Sequence, residues 1–185
     1  MPESPAGPEA PPSQVNPTVI AAMMACARGT PFGAIVEVGV FQGGTAWHLG
    51  QLAAETGRGL CLYDTFEGIP YSGPHDSHKV GDFSACSKEA IEDLIPWARV
   101  VKGVFPASAA ADPPRHISFV HLDCDQEQSY REAIAYLLPR MKPGGVMWFD
   151  DAPCLPGAAR AVLDVFPHPN ETEGKWWVIV GEETQ

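Results

Sequence analysis

Gly144-Gly145-Val146-Met147-Trp148-Phe149-Asp150-Asp151 reads as a glycine turn, a buried strand and two adjacent carboxylates. Four apolar residues in a row need cover on both faces, as in a parallel α/β sheet, and such sheets bind ligands at the carboxyl ends of their strands. Asp150 and Asp151 are therefore expected at a ligand-binding edge. A helix amino-terminal cap would account for one acid but not for both.

The same grammar occurs earlier, in Ile117-Ser118-Phe119-Val120-His121-Leu122-Asp123-Cys124-Asp125. Joined as parallel neighbours by the helix between them, the two strands bring Asp123 and Asp150-Asp151 to one edge. Carboxylates sharing a site repel one another and raise at least one pKa unless a cation neutralises them. A hard divalent ion held by Asp123, Asp150 and Asp151 is the economical resolution.

The rest of the chain alternates strands with helices. Strands are predicted at Ala34–Val40, Arg58–Tyr63, Arg99–Lys102, Ile117–Leu122, Val146–Phe149 and Lys175–Val180. Helices are expected from Thr18 to Gly29, from Gly43 through Ala53, from Ser87 to Ile95, from Glu127 to Leu138 and from Gly157 to Phe166. This pattern predicts a mostly parallel, doubly wound Rossmann-like α/β sheet with a reversed C-terminal strand. Residues 1–17 hold six prolines among small and acidic residues and read as a disordered Pro-rich tail, leaving residues 18–185 as a single domain.

Composition narrows the function. With 185 residues and a formal charge of -11, the chain is poorly suited to a phosphate backbone, so nucleic acid is not an expected partner. Five scattered cysteines form neither a disulfide framework nor a zinc pattern. No signal pattern or membrane-length apolar run is visible, and a cytoplasmic location is the default expectation.

Glu37-x-Gly39-x-x-x-Gly43-Gly44 lies between the first strand and its helix, where glycines let a ligand approach the backbone and the helix terminus offers free N–H groups. Asp64 ends the next strand, 64 - 37 = 27 residues on, placed to accept the hydroxyls of a ribose. Together they point to a nucleoside-containing cofactor. The glycine spacing is not that of a dinucleotide site, and the acid Glu37 suits a cationic ligand such as S-adenosylmethionine better than a diphosphate.

These residues resemble the macrocin-type (TylF-like) O-methyltransferases of antibiotic biosynthesis, which use S-adenosylmethionine and magnesium. The resemblance runs from about Ile35 to Val180. It rests on Glu37-Val38-Gly39-Val40 with Gly43-Gly44, Asp64-Thr65-Phe66-Glu67-Gly68-Ile69-Pro70, Gly81-Asp82-Phe83-Ser84, Lys102-Gly103-Val104-Phe105-Pro106, Leu122-Asp123-Cys124-Asp125, Pro143-Gly144-Gly145 with Phe149-Asp150-Asp151, and Gly157-Ala158-Ala159-Arg160-Ala161-Val162. Gln126-Glu127 stands where the family usually has Leu-Tyr, and the region before Glu37 is short for the family.

The resemblance implies a class I methyltransferase in which Glu37, Gly39, Val40, Gly43 and Gly44 hold the methionine part of the cofactor. Asp64, Thr65 and Phe66 hold the ribose side, and Asp82, Phe83 and Ser84 lie near the adenosine. Asp123, Asp150 and Asp151 bind Mg2+ or a similar divalent cation, and Asp123, which also borders the cofactor, is the general base. The expected acceptor is a hydroxyl of a small or natural-product molecule, sugar- or diol-like. A homodimer that covers the acceptor cleft is a further expectation. Two other readings remain open: a catalytically reduced S-adenosylmethionine-binding module acting through a partner protein, and a nicotinamide oxidoreductase.

Three further clusters take plainer readings. His75-Asp76-Ser77-His78 is read as a solvated turn, with metal binding or a lid over the acceptor as its functional alternatives. His121 is read as a satisfied core imidazole, and Trp176-Trp177 as core and edge aromatics.

Overall fold

The computed structural model describes residues 10–181. Seven strands form one sheet: β1 Ala34–Val38, β2 Leu60–Asp64, β3 Arg99–Lys102, β4 Ile117–Leu122, β5 Met141–Phe149, β6 Asn170–Thr172 and β7 Lys175–Ile179. Their order is β3-β2-β1-β4-β5-β7-β6. β1 to β5 run parallel, while β7 is antiparallel to both β5 and β6. This is the Rossmann-like sheet with a reversed C-terminal strand.

Helices α1 Pro17–Gly29, α2 Gly44–Thr56 and α3 Lys88–Leu94 contribute to the core on one face, and α4 Glu127–Leu137 and α5 Pro156–Leu163 to the core on the other. Strand residues alternate between the two cores. Val36, Val38, Val120, Leu122, Met147 and Phe149 pack with Tyr130, Ile134 and Val162, whereas Ile35, Leu60, Leu62, Phe119, Val146 and Trp148 pack with Met23, Leu49 and Ile91. The unbroken apolar runs follow from this two-sided cover.

Several boundaries move. α1 begins at Pro17 rather than Thr18, because the Asn16 side chain accepts the Thr18 N–H and proline suits the first helical position. β5 starts five residues earlier than expected, at Met141, with Lys142 to Gly145 outside the apolar run. β6 is not evident from its Asn-Glu-Thr sequence and exists as the partner of β7. Of the expected tail, residues 1–9 lie outside those described, while Pro12 and Ser13 pack directly against Gly44 at the start of α2.

Register places the chemistry. Val38 pairs with Tyr63 and with Leu122, and Leu122 pairs with Phe149. One residue further along these strands stand Asp64, Gly39, Asp123 and Asp150, side by side at the carboxyl edge. On the antiparallel side Phe149 pairs with Trp176, which puts Lys175 opposite Asp150. Backbone bonds extend the alignment past the strands: Asp123 N–H donates to Val38 O (3.0 Å) and Asp150 N–H to Leu122 O (2.9 Å).

Candidate active site

A cavity of about 400 Å³ opens along this edge. Its walls include Val38 to Gln42 after β1, Asp64 and Thr65 after β2, Phe83, Asp123 to Asp125, Asp150, Asp151 and Lys175. The expected residues Gly39, Val40, Gly44, Asp64, Thr65, Phe83, Asp123, Asp150 and Asp151 all line it.

Five other expected cofactor contacts do not. Glu37 points to the α1/α2 side of the sheet, where its Oε1 lies 2.8 Å from His121 Nδ1. Gly43 caps α2 and faces Ile91 and Leu94. Phe66 is buried in the core. Asp82 closes its own loop by accepting the Lys79 N–H (2.8 Å), and Ser84 is exposed outside the cavity. Alternation along β1 explains Glu37: a residue two before the turn shares the turn residue's face, but it sits one pleat deeper.

Asp64 does more than end a strand. Its Oδ2 accepts the N–H groups of Val40 (2.7 Å) and Phe41 (2.9 Å), and its Oδ1 accepts that of Phe66 (2.8 Å). The carboxylate thus shapes the β1–α2 turn. Of about four lone-pair directions on a carboxylate, one is left for a ligand hydroxyl.

The His75–His78 segment of the long loop after β2 is more than a solvated turn: His75 and Ser77 are exposed, but Asp76 and His78 turn inward. Asp76 Oδ1 accepts the Glu127 N–H (2.8 Å) at the start of α4, and Asp76 Oδ2 accepts the Gly73 N–H (2.7 Å). With its amide oriented to donate, buried Gln126 also reaches Asp76, at 3.0 and 3.2 Å. The Gln126-Glu127 pair therefore latches the loop. Exposed His75 is left outside, while His78 is carried to the cavity wall, 3.6 Å from Asp125 Oδ1.

Oxygens of Asp123, Asp150 and Asp151 lie within 4.8 Å of one another. Burial and the charges of Asp151 and Asp150 push Asp123 well above the usual carboxylate range. Asp151 is raised by burial, against hydrogen bonds to its Oδ2 from the Asp125 N–H (2.8 Å) and the Tyr130 hydroxyl (2.9 Å). Asp150 is also buried, but His121 and Lys175 outweigh that and hold it low. Beneath it, His121 is pushed up to about 10: burial opposes its charge, and the carboxylates of Asp150 and Glu37 prevail. Asp150 Oδ1 is buried without a hydrogen-bond partner, 3.8 Å from His121 Nε2.

These shifts fix a sign for stability. Asp125 is raised to about 8 by burial and the charges of Asp151 and Asp150, so the folded chain keeps a proton that the unfolded chain releases above about pH 3.9. Its stabilising effect declines as pH rises from there to about 8. His121 contributes fully below about pH 6.5 and loses its contribution as pH rises through about 10. Between about pH 6.5 and 8 both act in one direction. In chelator, the Tm should fall by several degrees across that window, at about 2–4 °C per kcal/mol. A Tm that holds or rises there contradicts this picture of the cluster.

A family model described as Macrocin-O-methyltransferase (TylF) matches residues 20–173. The chain belongs to the TylF family. An alignment 144 positions long is 29% identical to an 8-demethyl-8-(2,3-dimethoxy-alpha-L-rhamnosyl)-tetracenomycin-C 4'-O-methyltransferase of Streptomyces olivaceus, covering 68% of this chain and 54% of that protein. The chain thus spans about half the length of the curated relative it matches. Among solved structures, the O-methyltransferase NovP superposes with a TM-score of 0.76 at 19% identity, over 88% of this chain and 79% of that one. The calicheamicin methyltransferase CalS11 gives 0.71 at 20% identity, over 89% and 79%. At these identities the structural likeness establishes the fold. Among the described residues, no helix is long and apolar enough to cross a membrane.

Sequence reasoning missed Lys175, Tyr130 and Asp76 as parts of the site. Lys175 had a signal: a reversed strand beside β5 must begin opposite the end of β5. Tyr130 and Asp76 had none, since each acts across a tertiary contact.

Proposed function

We propose that the chain is an S-adenosylmethionine-dependent O-methyltransferase acting on a hydroxyl of a sugar- or diol-like natural product. One observation carries the reading: a single cavity runs from the β1–α2 turn and Asp64 to three carboxylates whose oxygens lie within 4.8 Å. A nucleoside cofactor and an acceptor hydroxyl then share one space. Family membership supports the reaction, and the rhamnosyl-tetracenomycin relative supports the acceptor class.

The β1–α2 turn seats the amino-acid part of the cofactor, beside the Pro12-Ser13 segment that packs on Gly44. The last free direction on Asp64 takes a ribose hydroxyl, and Thr65 and Phe83 flank it. Asp123, Asp150 and Asp151 fit a divalent cation, because hard oxygen donors converge and the buried Asp150 Oδ1 has no hydrogen-bond partner. Such an ion, when bound, supplies polarisation of the acceptor hydroxyl.

The chain's own residues carry the remaining work. The cavity aligns the acceptor oxygen with the methyl carbon and the sulfonium sulfur. As the new C–O bond forms and the S–C bond breaks, the hydroxyl proton passes to Asp123, and neutral S-adenosylhomocysteine leaves. A carboxylate pushed well above its ordinary range by burial and the charges of Asp151 and Asp150 is a stronger base than a solvated one.

Calorimetry with S-adenosylmethionine, with and without magnesium, followed by turnover assays on catechol and sugar diols, tests the proposal. Micromolar cofactor binding with methylated product is expected. Binding without turnover would favour a module acting through a partner, and NAD binding without affinity for S-adenosylhomocysteine would overturn the reading.

A further inference from the structure

We propose that Lys175 is a resident counter-ion of Asp150 that competes with a divalent cation for the carboxylate cluster and so sets its metal affinity. The inference rests on Asp123, Asp150 and Asp151 being cation ligands, and it concerns a residue outside that set.

The fold builds Lys175 into place. Glu173 and Gly174 form a two-residue hairpin loop with φ values of 52° and 71°, and Thr172 pairs with Lys175 across it. Two successive left-handed residues make the type I′ turn that holds a tight hairpin in register. Because β7 runs against β5, its first residue arrives at the carboxyl end of β5. A parallel strand in this position would have presented its last residue there.

The contacts are those of a fixed cation. Lys175 Nζ donates to Asp150 Oδ2 and to Asp150 O, both at 2.7 Å. The lysine side chain is 18% exposed and that of Asp150 is 9%. Charge-assisted bonds at such depth escape most solvent screening. The other Asp150 oxygen lies 3.8 Å from His121 Nε2.

Three carboxylates so close repel one another, and without a divalent ion something must offset that repulsion. Lys175 does so while leaving Asp123 open to the cavity. An arriving cation must compete with the ammonium for Asp150, but it need not expel Lys175, because the bond to the Asp150 carbonyl remains available. The site is thus held assembled before the metal binds, at the cost of weaker metal binding.

This separates Lys175 from an ordinary structural lysine. Lys175→Met keeps the length of the side chain and removes its charge. The cluster should then bind divalent ions more tightly, while the metal-free protein becomes less stable. A residue that merely oriented Asp150 as a ligand would lose metal affinity and stability together.

The test is calorimetric titration of MnCl2 into metal-stripped full-length wild type, Lys175→Met and Lys175→Arg, without cofactor or acceptor. Lys175→Met should bind Mn2+ at least roughly tenfold more tightly than wild type, the scale of one neighbouring charge at an intermediate dielectric. Lys175→Arg, which keeps the charge, should stay within about threefold of wild type on the same argument. Equal or weaker binding by Lys175→Met than by a wild type that does bind overturns the inference and leaves the metal reading standing. No binding by either protein overturns both.

Wild type alone provides a second measurement, needed if Lys175→Met does not fold. Reductive methylation of Lys175, followed by mass spectrometry, should run faster with saturating magnesium than in chelator, as the ammonium is freed from the carboxylate. An unchanged rate overturns the inference.

Discussion

Asp123→Asn should lower turnover by about 10²–10⁴-fold, the range for loss of a general base, while the protein becomes no less stable. The two effects have one cause. Burial and the charges of Asp151 and Asp150 make a charged Asp123 unfavourable, which both raises its basicity and costs folding free energy. Asparagine keeps the shape and removes the charge, so in chelator near pH 8 the Tm should hold or rise. Cofactor affinity should be largely retained, because the β1–α2 turn and Asp64 are untouched. Methyl transfer within tenfold of wild type would remove Asp123 from the base role. A clear fall in Tm would show that the loss of activity came from damage to the fold.

The sheet was legible because its strands are buried on both sides. Val146 to Phe149 is an unbroken apolar run and Ile117 to Leu122 is fully buried although it carries Ser118 and His121, and each is followed by an acid one residue beyond its last pairing. Parallel neighbours in register then bring the acids together without any further information. The β6–β7 hairpin was only half legible. Trp176 and Trp177 announce a strand, but Asn170-Glu171-Thr172 is polar, short and at an edge, and it is a strand only because β7 offers it a partner.

The glycines were legible as a turn but not in purpose. A cofactor was expected to need the open backbone at Gly39 and Gly44. In the structure the space beside Gly44 is filled by the chain itself: a Cβ there would lie 2.6 Å from Ser13 Cα and 2.8 Å from Pro12 O. The proline-rich composition that suggested a free tail says nothing of such a contact. Glu37 is a similar case, since a charged residue in a buried strand signals a site without saying on which side of the sheet its partner lies. Here the partner is His121, the paired residue on β4, so the expected core imidazole and the expected cofactor acid are one buried pair.

Gly39 carries the sharpest structural prediction. Its φ is 88°, a conformation that costs an L side chain about 1–2 kcal/mol. A Cβ added there would lie 1.8 Å from the Asp123 carbonyl oxygen and 2.6 Å from its carbon. Neither atom can yield locally, because the Asp123 N–H is bonded to Val38 O and the Gly39 N–H to Tyr63 O. Relief requires β1 and β4 to part at their carboxyl ends, where Asp123 stands beside the turn that Asp64 holds. Gly39→Ala should therefore cost at least about 3 kcal/mol, at the severe end for a point change, and lower the Tm by about 6–12 °C. Gly57→Ala isolates the backbone share of that loss: it has a φ of 68° but open space around it, and it should cost only about 1 kcal/mol. Cofactor binding and turnover should fail in Gly39→Ala even at temperatures where it remains folded, since the displaced backbone is the one that brings the turn and the carboxylate together. Equal losses for the two variants in thermal unfolding would refute the contact between Gly39 and Asp123 as the element that joins the two halves of the site.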